Sequence, residues 1–76
     1  MRNPLTELGA TIRQRRELLG LLQPQLSALS GISIRTIQLV EKGKGNPSVD
    51  TLLKIGETLG LQLRLELVDT SKKSDA

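Results

Sequence analysis

The sequence predicts an all-α bundle of four helices, followed by one short β-strand that pairs across a dimer. Three observations carry this. Apolar residues recur at helical spacing in four segments, each with a capping residue or an early proline and a closing glycine. The second and third segments are short and flank a tight turn centred on Gly31-Ile32. After Gly60 the helical period gives way to strict alternation in "LQLRLELV", Leu61 to Val68.

The first helix opens with Asn3 as N-cap and Pro4 at its first position, the place where a missing N–H costs least. Leu5, Leu8, Ile12 and Leu19 then recur at helical spacing until Gly20. In the second helix Pro24 sits in the first turn, Leu26 and Leu29 are expected to face inward, and Gly31 stops the run. Ser33 caps the third helix, whose inner face carries Ile37 and Val40, and which closes at "EKGKGNP". Ser48 caps the fourth, expected to bury Val49, Leu52, Leu53, Ile55 and Leu59.

The alternating segment puts Leu61, Leu63, Leu65 and Leu67 on one face and Gln62, Arg64 and Glu66 on the other. The alternative is a continued helix with Leu61, Leu65 and Val68 on one side; Gly60 and the strict alternation favour a strand. A strand needs a partner for its backbone groups, and no other segment reads as one. The expected partner is the same strand of a second copy, paired antiparallel about a two-fold axis. The implied boundaries are an N-terminal tail over 1–3, a helical domain over 4–60, a dimerisation strand over 61–68 and a disordered polar tail over 69–76.

Composition bounds the function. Seventy-six residues with no aromatic side chain give one thin aliphatic core. With no cysteine and no histidine, disulfides, thiolate chemistry and the usual zinc spacings are excluded. No apolar run approaches the roughly 20 residues of a membrane span, and the opening "MRNPLTELG" lacks a secretory apolar stretch, so a cytoplasmic protein is expected. The carboxylates Glu7, Glu17, Glu41, Asp50, Glu57 and Glu66 are scattered, without a phosphate-cradling glycine loop, so no enzyme and no cofactor is expected. Net charge is +3, with Arg13, Arg15 and Arg16 in one cluster and Arg35, Lys42 and Lys44 along another. Clustered positive charge permits nucleic-acid binding, and the missing aromatics favour a duplex over a stacked single strand.

The stretch "QPQLSALSGISIRTIQLVEK", Gln23 to Lys42, carries the function. Gly31 allows a sharp turn, Ser27 allows a close crossing, and Leu26, Ile32, Ile37 and Val40 converge on one core. That is the pattern of a DNA-binding helix-turn-helix, whose second helix enters the major groove. An ordinary helical hairpin is the alternative on pattern alone, and a protein adaptor presenting Ile34 and Leu39 is the rival function.

Leu8 through Gly60 resembles the phage repressor and Cro type of helix-turn-helix domain, the lambda-repressor-like Xre family. The matching marks are "LGATIRQRRELLGL", Gln23, "SGIS", "TIQLVEKG" and "NPSVDTLLKI". The resemblance implies a transcriptional repressor that reads duplex DNA. It assigns base-edge reading to Ser33, Ile34, Arg35, Gln38 and Leu39, with Arg35 suited to guanine and Gln38 to adenine. Ile34 and Leu39 offer apolar contact to a thymine methyl. Gln23, Thr36, Lys42, Lys44 and Arg16 are assigned to phosphates, and Arg16 is also matched to Glu41 as a structural pair. One departure stands out: Leu22 occupies the position where the family places a serine or threonine cap, so Gln23 is expected to serve as a poor cap, with Pro24 covering one donor. The terminal strand further resembles HipB-like antitoxins, which implies an autorepressor that doubles as the antitoxin of a toxin–antitoxin pair, with a homodimer, a palindromic operator and a HipA-like kinase toxin as partner; a plain transcriptional repressor without a toxin is the alternative.

Overall fold

The computed structural model describes residues 3–67 and contains four helices: α1 (Pro4–Leu18), α2 (Gln23–Ser30), α3 (Ile34–Glu41) and α4 (Val49–Leu59). Three starts follow the capping logic of the sequence. The Asn3 side chain accepts from the Leu5 N–H at 2.9 Å, Ser33 Oγ from Thr36 at 3.1 Å and Ser48 Oγ from Thr51 at 3.1 Å. The start of α2 differs from expectation. Leu22 is the N-cap and has no acceptor, Gln23 is the first helical residue, and the Gln25 side-chain oxygen reaches back to the Leu22 N–H at 2.8 Å. That is one half of a capping box, supplied from the third helical position.

Helices α1 and α2 each pack against both α3 and α4. Ile12, Leu26, Ile37, Val40, Ile55 and Leu59 form the buried centre, with Leu8, Leu21, Ile32, Leu52 and Leu61 packed around it. Every helix therefore contributes, as a thin aliphatic core requires. At the α1–α3 crossing, a Cβ on Gly9 would collide with the Val40 carbonyl oxygen and lie 2.9 Å from that of Glu41. Gly31 closes α2 at φ 76°, the left-handed conformation that makes the turn into α3 short.

Four leucine and valine positions depart from the inward orientation read from spacing. Leu29 is exposed because the inner stripe of α2 is Gln23, Leu26, Ser27 and Ser30, three of them polar. Val49 and Leu53 are exposed because α4 turns the stripe of Leu52, Ile55, Gly56 and Leu59 to the core. Leu19 sits past the last turn of α1, where helical period no longer aims it.

Residues 61–67 adopt neither helix nor strand. Leu61 packs on the core, Leu63 is partly covered, and Leu65 and Leu67 are fully exposed. Val68, which ends the expected strand, lies outside the described residues, as do 1–2 and the expected tail 69–76. Among the described residues no helix is long and apolar enough to cross a membrane.

Candidate nucleic-acid interface

The interface is organised by a buried carboxylate. Glu41, at the end of α3, accepts Arg16 Nε at 2.6 Å on one oxygen, and Arg16 Nη2 at 2.9 Å on the other. The same second oxygen accepts Gln23 Nε2 at 3.1 Å. Arg16 Nη1 donates to the Leu21 carbonyl at 2.7 Å. One carboxylate thus ties α1, α2 and α3 together. The side chains of Arg16 and Glu41 are 9% and 4% exposed, so the pair is shielded from water and salt. The hydrogen bond to Glu41, ahead of the cost of burial, raises the Arg16 pKa above its ordinary value and keeps the guanidinium charged. Among the described residues no buried side-chain nitrogen or oxygen lacks a partner.

This arrangement places the expected phosphate contacts unequally. Arg16 engages each of its three nitrogens inside the protein, which serves its expected pairing with Glu41, and two of its five N–H groups are left. Gln23 is half-buried and keeps one amide hydrogen after bonding Glu41. Thr36 is half-buried and accepts from the Ser33 hydroxyl at 3.0 Å, which leaves its own O–H to donate outward. Lys42 and Lys44 are exposed.

Helical geometry sorts the residues of α3. With Ile37 and Val40 buried, Arg35 and Lys42 lie at the middle of the opposite face, and Gln38 and Leu39 flank them. The side chains of Arg35, Gln38, Lys42 and Lys44 have no hydrogen-bond or ion-pair partner among the described residues. Ser33 is exposed but its hydroxyl is engaged in the cap, and Ile34 is exposed at the first turn. Leu39 is half-buried beside Gly45 in a shallow cleft with Thr36, Lys44 and Pro47, so only part of its side chain faces outward. A second cleft, lined by Arg13, Arg16, Gln23, Gln38, Glu41 and Lys42, runs along the other flank of α3. Between Leu18 and Val49 the sequence holds one carboxylate, Glu41, and Arg16 neutralises it. Along this stretch the exposed charged side chains, Arg35, Lys42 and Lys44, are all positive.

Two contributors were missed in the sequence. Gln25 caps α2, a role visible in its spacing of three from Leu22 once a cap from inside the helix is allowed. Arg15 Nε donates to the Leu59 carbonyl at 2.8 Å and closes α4, a contact across 44 positions that leaves no local signal.

A model of the helix-turn-helix family matches residues 12–65. The chain belongs to the Xre-type helix-turn-helix family. Over 50 residues, 66% of this chain and 51% of the relative, it is 44% identical to an uncharacterized HTH-type transcriptional regulator of Haemophilus influenzae. It thus spans about half the length of that relative. A second uncharacterized HTH-type transcriptional regulator, from Sinorhizobium fredii, is 34% identical over 61 residues, 80% of this chain and 78% of the relative. Among solved structures, the restriction-modification controller protein C.AhdI from Aeromonas hydrophila is similar to this helix-turn-helix protein at a TM-score of 0.72 and 33% identity, covering 76% of this chain and 88% of that one.

Proposed function

We propose that this protein is a transcriptional regulator that binds a palindromic duplex operator as a homodimer, with α3 in the major groove. The observation that carries the reading is the outward face of α3, where Arg35, Gln38 and Lys42 have no internal partner among the described residues while Glu41, the carboxylate of α3 itself, is neutralised from inside. Free donors at helical spacing suit base edges and phosphates; an internal structural helix has no use for them. The names of both curated relatives as HTH-type transcriptional regulators support the same reading.

In this reading Arg35 contacts guanine and Gln38 adenine, with Ile34 and the exposed part of Leu39 toward thymine methyls. Ser33 stays mainly a cap. Gln23, Thr36, Lys42 and Lys44 meet phosphates; the amide hydrogen left on Gln23 and the lack of a side-chain acceptor at Leu22 for the first turn of α2 support this. Dimerisation falls to Leu61–Leu67. Leu61 is already packed on its own core, so the gain from pairing comes chiefly from Leu63, Leu65 and Leu67, several kcal/mol gross at about 1.5–3 kcal/mol per buried leucine. A HipA-like kinase partner rests on the terminal segment alone, and the regulator without a toxin is the reading adopted here.

The test is a titration of duplex DNA at several salt concentrations. With about three phosphates neutralised per half-site, log affinity falls against log salt with a slope near −5. Half-sites about 34 Å apart, one turn of duplex, are expected to bind best. Salt-independent binding, or equal affinity for every duplex, overturns the reading and leaves a protein adaptor.

A further inference from the structure

The chain leaves α4 at a defined point. The Leu61 N–H donates to the Gly56 carbonyl at 2.7 Å, that of Gly60 to Glu57 at 3.3 Å, and the Leu61 side chain packs on the core. A Cβ on Gly56 would lie 3.1 Å from the Leu61 carbonyl oxygen, so a bare residue there permits the close turn. Beyond this anchor, Leu65 and Leu67 bury nothing. On the polar side, Arg64 and Glu66 lie 3.6 Å apart and each side chain is 69% exposed. Their charges have no other partner among the described residues.

We propose that Arg64 and Glu66 choose the register and the partner of this arm: a second copy of the chain, antiparallel, with Leu65 on the two-fold axis. The proposal rests on the homodimer reading above and deepens it. In an antiparallel pair, directly opposed side chains share a face. Leucines meet leucines only when the two-fold passes through a residue, and a slip by one position would set leucine against charge. Four such centres, residues 63 to 66, pair at least about five residues of the alternating stretch. Centring on residue 64 opposes two arginines, and centring on 66 opposes two glutamates; like charges directly opposite destabilise. Centring on 63 sets Glu66 against Gly60, whose backbone is committed to the left-handed end of α4 at φ 73°. Centring on Leu65 sets Arg64 opposite Glu66 twice and Leu63 opposite Leu67 twice. A parallel pairing puts each charge beside its own copy. One register satisfies both faces.

The pattern also selects the partner, since an arm of different charge order would meet repulsion at both positions. Full-length Arg64→Glu, Glu66→Arg and the double exchange test this, because the substituted side chains are exposed and helical content by circular dichroism is expected to be unchanged. In sedimentation equilibrium at low micromolar concentration, wild type and the double exchange are expected to dimerise alike. Each single variant dimerises roughly tenfold more weakly or worse, having turned two attractive cross-strand pairs repulsive. Mixing the two single variants restores dimers, as an acidic arm then faces a basic one, while wild type and the double exchange stay apart in a mixture. Single variants that dimerise like wild type, or a mixture that does not recover, overturn the register. A chain ending at Gln62, which keeps Leu61 on the core and its bond to Gly56, separates the two levels. If it dimerises as well as the full chain, the helices form the interface and the arm-mediated dimer falls too; if it is monomeric while the charge variants behave like wild type, only the register falls.

Discussion

On the inner side of α3, Glu41 accepts three hydrogen bonds from α1 and α2 behind a nearly closed surface. On the outer side of the same helix, Arg35, Gln38 and Lys42 donate to nothing among the described residues. Both sides are polar, so polarity does not separate structure from function here. Satisfaction does. A buried charge survives only with its partners in place, whereas an exposed cation loses little by waiting for one. The inner side fixes how α2 and α3 cross; the outer side is what that crossing presents.

The inner side is where a single change does most damage. Arg16→Ala strips two of the three donors from a carboxylate that is 4% exposed. Breaking a buried pair in this way costs about 3–5 kcal/mol. For a domain of this size that is a fall of roughly 15 °C or more in Tm, read in a thermal melt. Arg16→Met together with Glu41→Leu, which removes both charges, is expected to recover much of the stability while releasing Gln23. A double variant that melts as low as the single one would show that lost packing, and not an unpaired charge, is the cause.

Arg35→Ala probes the outer side and is expected to leave the melt within about 0.5 kcal/mol, since the side chain is exposed and has no hydrogen-bond or ion-pair partner among the described residues. Its effect lies in binding: about 1–3 kcal/mol on the preferred site, with discrimination relaxed at one base pair. The measurement is a set of titrations on duplexes varied one position at a time. An even loss across all of them would move Arg35 from the base-reading residues to the phosphate contacts.

What could be read in the sequence follows the same division. The caps Asn3, Ser33 and Ser48 and the turn at Gly31 depend on neighbours within three residues, and they form as expected. The buried Ile37 and Val40 and the outward Arg35 and Gln38 follow from one helical period. Leu29, Val49 and Leu53 do not, because short helices with several apolar stripes leave the inward one to be decided by distant packing. Gln23 was placed by resemblance on phosphates, yet its bond to Glu41 spans 18 positions and rests on how α2 meets α3. Arg15, bonded to the end of α4, was invisible for the same reason. The terminal alternation predicts a strand by its period alone, yet residues 61–67 adopt neither helix nor strand, because a period of two fixes faces and not backbone partners.

Lys44 offers the mildest test, because it sits at the edge of the contrast. Its backbone N–H is fixed to the Leu39 carbonyl at 2.9 Å just past α3, while its ammonium is exposed and has no partner among the described residues. A long flexible cation on a loop lacks the planar fork that makes arginine selective, so it acts as a point charge near phosphate. Lys44→Ala is therefore expected to leave both the melt and the order of preference among duplexes unchanged. It lowers the salt slope by about 0.9 per chain, nearly 2 for a dimer, since one fewer counterion is released at each half-site. The comparison is a log–log salt titration of wild type and variant on the preferred duplex and on a scrambled one. Equal slope changes on the two place Lys44 on the backbone. A change confined to the preferred duplex would mean that the loop, and not α3 alone, takes part in reading the sequence.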